Sequence, residues 1–149
     1  MDRQLTLKFV FLLALASGKR RGELHALRNK VETVEGNENQ ILLVPDLTFM
    51  GKTHLVTNGL GTFENICLTA LEQAPDSGDG DDCLLCPVRT LRYYQKRSDA
   101  YRDVEQVRLI ISHQRQKKSD ISVATVSSYI KQDIVEALLA QAKDAASMK

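Results

Sequence analysis

Residues 17–24 read SGKRRGEL, and the segments on either side of this stretch decide the expected fold. Residues 6–16 are rich in Leu, Ala and Phe and carry no polar stripe, which is typical of a helix surrounded by other elements. Ser17 and Gly18 interrupt that helix, and residues 23–28 return to helical spacing. The sequence therefore predicts a buried helix, a tight turn and a second helix.

Short β-prone runs follow the second helix. Residues 31–34 and 41–44 flank the stretch EGNEN at residues 35–39, which suits a hairpin turn. A third run, residues 54–57, comes after a turn at Gly51-Lys52. The simplest interpretation is a three-stranded antiparallel sheet.

The remainder of the chain alternates helical patterns with polar loops. We expect a helix over residues 63–73 and an exposed loop over residues 74–82, which are rich in Pro, Ser, Gly and Asp. Pro87 suits the first residue of a helix that runs to about residue 100, and residues 107–111 form a strand or a buried turn.

Ser122 is the expected N-cap of a last helix over residues 123–146, whose apolar side carries Val126, Ile130, Ile134, Leu138 and Leu139. The predicted fold class is α+β, mostly helical with a small three-stranded antiparallel sheet.

Length and charge bound what this fold can do. With 149 residues and 43% hydrophobic content, the chain fits one domain, residues 1–149, with a buried core. The formal net charge of +1 conceals an asymmetry, since residues 1–30 hold seven basic and two acidic residues whereas residues 71–86 hold five acidic residues and no Lys or Arg. This segregation suits a face that meets phosphate and a loop that stays away from it.

Three cysteines, at positions 67, 83 and 86, lack the spacing of a disulfide scaffold, which favours an intracellular location. Residues 83–86 are half of a zinc pattern that Cys67 and His113 would have to complete. Two thiols at the mouth of a helix are the simpler interpretation, so we expect no metal. The apolar residues 9–16 are fewer than the ~20 that a membrane span needs, so no membrane partner is expected.

The stretch SGKRRGEL resembles the first arginine motif of the tyrosine recombinase, or phage-integrase-like, family. That motif runs small residue, Gly, any, Arg, any, small residue, Glu, Leu, so its arginine falls on Arg20, and Glu23 and Leu24 match as well. Gly22 departs from the pattern, because the family often has Ser or Thr there. Residues 14–21 and 86–94 resemble the recombinases of eukaryotic retroelements more than bacterial integrases, which implies a nuclear location if the source is eukaryotic.

The resemblance implies a catalytic role for Arg20, with Glu23 in support. Cleavage of a DNA strand by a tyrosine passes through a phosphorane with extra negative charge, and a planar guanidinium can hold two of its oxygens at once. The plain alternative is that Lys19, Arg20 and Arg21 solvate a loop, as three consecutive basic residues often do.

A second family feature is a catalytic lysine in the turn between the second and third strands. Residues 46–54 read DLTFMGKTH, which makes Lys52 the candidate. Its implied role is that of the general acid that protonates the departing 5′ oxygen. A solvated turn lysine is the alternative interpretation. Arg20 and Lys52 are expected to face one basic concavity, with residues 74–82 away from it.

The family further needs a His-x-x-Arg box, then another His or Trp, and then the nucleophilic tyrosine, all beyond the last predicted helix. Residues 25–28 match His-x-x-Arg formally, but they precede the sheet and share a predicted helix with Glu23, so we interpret the match as coincidence. The four tyrosines all come too early in the chain to be that nucleophile. The chain is therefore expected to be an incomplete and inactive front part of such a catalytic domain, and whether it is an enzyme stays open.

The expected partner is double-stranded DNA, with like protomers in a synaptic complex as a further possibility and with no cofactor. Basic side chains outside the catalytic pair are candidates for contacts with phosphates: Lys19, Arg21, Arg89, Arg92, Lys96, Arg115, Lys117 and Lys118. Surface solubility is the alternative reason for these residues. The rival functional class is a non-enzymatic DNA-binding or interaction module.

Overall fold

A computed structural model describes residues 2–49, 64–71, 85–103, 105–112 and 121–147. It confirms an α+β fold that combines helices with a three-stranded antiparallel sheet of order β1-β2-β3. The elements in chain order are α1 (Arg3–Ser17), α2 (Arg21–His25), β1 (Leu27–Val34), β2 (Asn37–Pro45), β3 (Ile66–Thr69), α3 (Pro87–Ser98), a 3-10 turn (Asp99–Tyr101) and α4 (Val123–Ser147).

The first helix is the buried one that the sequence predicts. Asp2 caps its start by accepting a hydrogen bond from the backbone N–H of Gln4 at 3.0 Å. Gly18 ends it in the left-handed conformation, with φ of 62°, and donates its N–H to the Ala14 carbonyl at 3.0 Å. A side chain is strained at that φ, so glycine fits this turn.

The second helix is shorter than predicted. Residues 23–28 were expected to be helical, but α2 ends at His25 and β1 begins at Leu27. Strand pairing decides this, because the carbonyl of Leu27 accepts the N–H of Leu109 at 2.8 Å and Ala26 accepts that of Asp46 at 2.9 Å. These long-range hydrogen bonds override a weak helical pattern.

The hairpin of β1 and β2 confirms the predicted turn, with Gly36 at a φ of 76°. The third strand corrects the prediction of a helix over residues 63–73: β3 pairs with β2, with Leu68 opposite Ile41. Its burial alternates, since Ile66 and Leu68 are buried and Cys67 is exposed, as in a strand with one face on the core. The strand predicted over residues 54–57 lies outside the described residues.

The core lies between the sheet and helices α1, α3 and α4. The rings of Phe9 on α1 and Tyr94 on α3 stack with centroids 4.1 Å apart. Ile111 donates its backbone N–H to the Tyr94 hydroxyl at 3.0 Å. Of the predicted apolar segment 107–111, residues 109–111 are therefore a buried connection tied to α3, whereas Val107 is exposed. α3 also packs against β2 and β3, whereas α2 packs against α1 and α4.

The last helix begins as predicted, because the Ser122 hydroxyl accepts the N–H of Thr125 at 3.1 Å. Its apolar side is buried only in the first half: Val126 is fully buried, whereas Leu138 is 60% exposed. Arg3 joins the start of α1 to the middle of α4 through Glu136 at 2.8 Å. Within the described part of the chain, no helix has the length and apolar character needed to cross a bilayer.

Candidate functional site

The turn between α1 and α2 holds the motif SGKRRGEL. Arg20 is the N-cap residue of α2, in an extended conformation, and its backbone N–H donates to a carboxylate oxygen of Glu23 at 2.7 Å. Leu24 is fully buried, and Ser17 accepts the N–H of Lys19 through its hydroxyl at 3.3 Å. Ser17, Gly18, Glu23 and Leu24 therefore each have a role in shaping the turn.

Arg20 differs from these neighbours. The free groups at the start of a helix are N–H donors, and they need an acceptor such as Ser, Thr, Asp or Asn at the N-cap. An arginine side chain carries donors only, so Arg20 cannot cap α2. Its side chain is exposed, and the capping hydrogen bond to its backbone comes from Glu23. The turn thus presents a guanidinium that the helix does not need.

The segment after β2 lies against this turn. The ring of Phe49 is in van der Waals range of the position that a Cβ on Gly22 would take, at 3.7 Å. Asp46 holds the segment by accepting the backbone N–H of Thr48 at 3.0 Å and its hydroxyl at 2.8 Å. Those two hydrogen bonds, followed by the charges of Arg108 and Arg28, lower the pKa of Asp46. Lys52, three residues beyond Phe49, lies outside the described residues.

A groove of about 660 Å³ runs beside the turn, between α2 and α4. Arg21 and Lys131 line it with cations, and Ser127 and Ser128 add hydroxyl groups. The carboxylate in the lining, Glu136, is hydrogen bonded to Arg3, which lowers the pKa of Glu136. The polar half of the groove is therefore suited to an anion.

Sequence reasoning missed Ser127, Ser128 and Lys131. Their only local signal is that Lys131, which is exposed, lies one helical turn after the two adjacent serines on α4. Nothing in the sequence indicates that Arg21, more than a hundred positions earlier, faces the same groove.

His25 has a structural contact. Its Nε2–H donates to the carbonyl of Ile121 at 2.7 Å, which joins α2 to the start of α4. The sequence suggested that Arg28 shares a helix with Glu23, but Arg28 lies on β1. Its backbone forms an isolated antiparallel β-bridge with that of Arg108. The structure thus gives residues 25–28 two separate structural tasks.

The other predicted phosphate contacts divide into two sets. Arg89, Arg92 and Lys96 lie on α3, away in sequence and in packing from α2, and Arg92 donates to the carbonyl of Glu38 in the hairpin at 2.8 Å. The second set falls outside the described residues: Arg115, Lys117 and Lys118. The whole of the acidic loop 74–82 also lies outside them. The expected concavity of Arg20 and Lys52, and the distance of the acidic loop from it, therefore stay predictions.

The cysteines show no metal geometry where the structure describes them. Cys86 is buried at the start of α3, and its sulfur accepts the N–H of Leu71 at 3.4 Å. Cys67 is exposed on β3, and Cys83 and His113 fall outside the described residues. Among the residues that are described, no three His, Cys, Asp or Glu side chains cluster as metal ligands.

Comparison with known proteins identifies no relative, since no protein-family model, no curated protein and no solved structure matches this chain.

Proposed function

We propose that this chain forms the front part of a tyrosine-recombinase-type catalytic domain and that Arg20 binds a backbone phosphate of double-stranded DNA. The observation that carries this proposal is the exposed arginine at the N-cap of α2, where its side chain cannot serve the helix. Residues that break a local structural rule are expected at functional sites.

The geometry of the turn suits phosphate. Glu23 fixes the backbone of Arg20 at 2.7 Å, and Gly18 reverses the chain just before it. A guanidinium on such a fixed turn can donate two parallel hydrogen bonds to the non-bridging oxygens of a phosphate. In a reaction of this type these bonds stabilise the phosphorane, in which the negative charge is greatest.

The order of elements supports the same proposal. The resemblance requires the arginine turn first, then an antiparallel hairpin, and then the lysine before the third strand of the sheet. Here β1 and β2 follow α2, and Lys52 falls between β2 and β3 in sequence. Because the Phe49 ring lies in van der Waals range of the position that a Cβ on Gly22 would take, the chain leaves β2 beside the turn that holds Arg20. Lys52 is then the proposed donor of the proton that the departing 5′ oxygen takes up.

The nucleophile is not assigned to any residue of this chain. In the reaction the tyrosine oxygen would attack phosphorus, the bond to the 5′ oxygen would break, and a 3′-phosphotyrosyl link would form. Tyr94 and Tyr129 are buried, and Tyr93 and Tyr101 lie on α3 and the turn after it. We therefore propose that these 149 residues bind DNA without becoming attached to it.

The test measures binding of a fluorescein-labelled duplex by anisotropy at several salt concentrations. Arg20→Ala should weaken binding and reduce the slope of log affinity against log salt by about 0.9, the value for one phosphate contact. Arg20→Lys should keep the slope but bind more weakly, because an ammonium lacks the planar fork. Lys30→Ala is the matched control, since Lys30 lies on the hairpin and pairs with Glu32 at 2.7 Å.

Equal effects of Arg20→Ala and Lys30→Ala would contradict the role of Arg20. A nicked suicide duplex, which traps any protein–DNA adduct on a denaturing gel, tests the second half of the proposal. An adduct that disappears when one of the four tyrosines is changed to Phe would overturn the view that these residues only bind.

The rival proposal is a DNA-binding module without chemistry. The observation that favours it is the groove between α2 and α4, in which Arg21 and Lys131 offer cations that no cleavage step requires. The two proposals differ at Arg20: in a binding module Arg21→Ala and Lys131→Ala should weaken duplex binding as much as Arg20→Ala does, and Arg20→Lys should be as good as the native residue.

A further inference from the structure

The outer face of α3 combines cations with aromatic rings. α3 carries four basic residues, Arg89, Arg92, Lys96 and Arg97, and no acidic residue. Tyr93 is 50% exposed on the same helix, and Tyr101 is 43% exposed in the 3-10 turn that follows. The opposite face of α3 supplies Val88, Leu91 and Tyr94 to the core. The fold therefore uses one face of this helix and leaves the basic, aromatic face to solvent.

Three of these side chains form a stripe along the helix. Tyr93 and Arg97 lie four residues apart on one side of α3, and Tyr101, in the 3-10 turn that follows, is close enough to Arg97 to act on it electrostatically. Arg97 donates its Nε–H to the Tyr93 hydroxyl at 3.2 Å, and its guanidinium carbon lies 5.5 Å from the centre of the Tyr93 ring. The hydrogen bond to Tyr93, followed by the charges of Tyr93, Tyr101 and Asp2, raises the pKa of Arg97.

Where the structure describes the surroundings of this stripe, two acidic side chains have contacts of their own. Asp2 caps α1 by accepting the N–H of Gln4 at 3.0 Å. Asp99 lies 3.7 Å from Nε of Arg102. The charged side chains of α3 itself are all basic, so a partner that complements this face is a polyanion.

The rings narrow the choice of polyanion. Tyrosine rings and guanidinium planes are surfaces on which nucleic-acid bases stack, and this stacking is open only to unpaired bases. In a duplex the base faces are covered by their neighbours, so the tyrosines would have no part in binding. Five steps of α3 and three of the 3-10 turn separate Tyr93 from Tyr101. At ~1.5 and ~2.0 Å per residue this is roughly 13 Å, which is more than three stacked base steps of ~3.4 Å.

We propose that the Tyr93–Arg97–Tyr101 stripe, with Lys96 beside it, binds single-stranded nucleic acid, stacking non-adjacent bases on the two tyrosine rings and holding the intervening phosphates by its cations. This site goes beyond the duplex contact proposed for Arg20 and uses none of the same residues. It assigns a role to exposed aromatic groups that contribute nothing to the core.

The chain provides its own probe for this site. It contains four tyrosines and no tryptophan, and Tyr94 and Tyr129 are buried. Quenching of tyrosine fluorescence by an added oligonucleotide therefore reports on Tyr93 and Tyr101. We expect a 12-nucleotide oligo(dT) to quench this emission on binding, whereas an abasic strand of the same length and charge should bind more weakly and quench little.

Substitutions separate stacking from charge. Tyr93→Ala and Tyr101→Ala should each lower the affinity for oligo(dT) roughly 5- to 150-fold, the range for loss of one stacked base. Tyr93→Phe is the matched control, because it keeps the ring and should bind within about 2-fold of the native chain. Thermal unfolding of each variant checks that the exposed positions leave the fold intact.

Three outcomes would overturn the proposal: equal affinity for the abasic strand, unchanged affinity of Tyr93→Ala, or displacement of oligo(dT) by polyglutamate at matched charge. Arg20→Ala separates this site from the duplex contact. This substitution should leave oligo(dT) binding unchanged, so loss of duplex binding with retained oligo(dT) binding supports two separate sites. If the native chain binds no duplex at all, that result refutes the proposed function but not the single-strand site.

Discussion

Removing the hydroxyl of Tyr94 tests how the core depends on one buried polar contact. Tyr94 and Ile111 are 0% and 2% exposed, and the N–H of Ile111 donates to the Tyr94 hydroxyl at 3.0 Å. In Tyr94→Phe the ring and its stacking with Phe9 remain, but that N–H is left buried without its acceptor. An unsatisfied buried donor costs roughly 1–3 kcal/mol, so we expect the free energy of unfolding to fall by about 2 kcal/mol at pH 7.

The same hydroxyl gives this effect a pH dependence. Burial, partly offset by the Ile111 hydrogen bond, raises the pKa of Tyr94 from 10.0 to about 12. A group whose pKa is raised by folding contributes its full stability below pH 10 and loses it as pH rises towards 12. With these values the loss reaches about 1.4 kcal/mol by pH 11, so the advantage of the native chain over Tyr94→Phe should shrink by that amount between pH 8 and pH 11.

Urea unfolding followed by circular dichroism measures both effects. Tyr93→Phe is the control, because Tyr93 is next in sequence, is half exposed and has its hydroxyl hydrogen bonded to the exposed Arg97. Loss of that hydroxyl should change stability by less than about 0.5 kcal/mol. Two results would show that the account of the buried hydroxyl is wrong. One is a Tyr94→Phe variant that is no less stable than Tyr93→Phe. The other is a difference in stability between the native chain and Tyr94→Phe that stays the same from pH 8 to pH 11.

Two further substitutions test local features of the fold. Ser122→Ala removes the acceptor of the Thr125 N–H and should lower stability by about 1 kcal/mol in thermal unfolding, whereas Ser127→Ala, inside the same helix, should be nearly neutral. Asp46→Asn removes a carboxyl group whose pKa is lowered from 3.8 by folding. The native chain should therefore lose stability as the pH falls below about 4, and the variant should lose less. Parallel curves of melting temperature against pH for the two proteins would count against this.

The elements predicted well are those with strong local signals. α1, its stop at Gly18, the hairpin and the capped start of α4 each depend on residues close in sequence, so periodicity and capping chemistry locate them. β3 was misjudged because Leu, Ala, Glu and Gln around residues 68–73 favour a helix, whereas the hydrogen bonds that β2 offers decide in favour of a strand. The end of α2 was misjudged for the same reason.

The candidate site follows the same division. Arg20 and Glu23 were selected because they match a family motif, and their functional roles stay predictions. The hydrogen bond between them spans three residues and is therefore a local one. The residues that share the groove with Arg21, namely Ser127, Ser128 and Lys131, were not predicted. The sequence of an exposed helix does not encode which distant element that helix faces. The hydrogen bond that ties His25 to Ile121 also depends on a contact that no local pattern contains.

The contacts of this fold differ widely in the separation in sequence of the residues that they join, and this difference implies an order of folding. The β1–β2 hairpin joins neighbours in the chain and is expected to form on the microsecond scale. The contact of Ala26 with Arg108 spans 82 positions, and that of His25 with Ile121 spans 96. Closing a loop of this length costs about 4 kcal/mol of chain entropy, so these contacts come late.

α2 depends on both late contacts, because His25 is its last residue and Ala26 its C-cap. A nascent chain that has emerged from the ribosome only through β2 would therefore hold a hairpin but no anchored turn at Arg20. The affinity for phosphate that we propose for that turn would then arise only once the second half of the chain has been synthesised and has folded back.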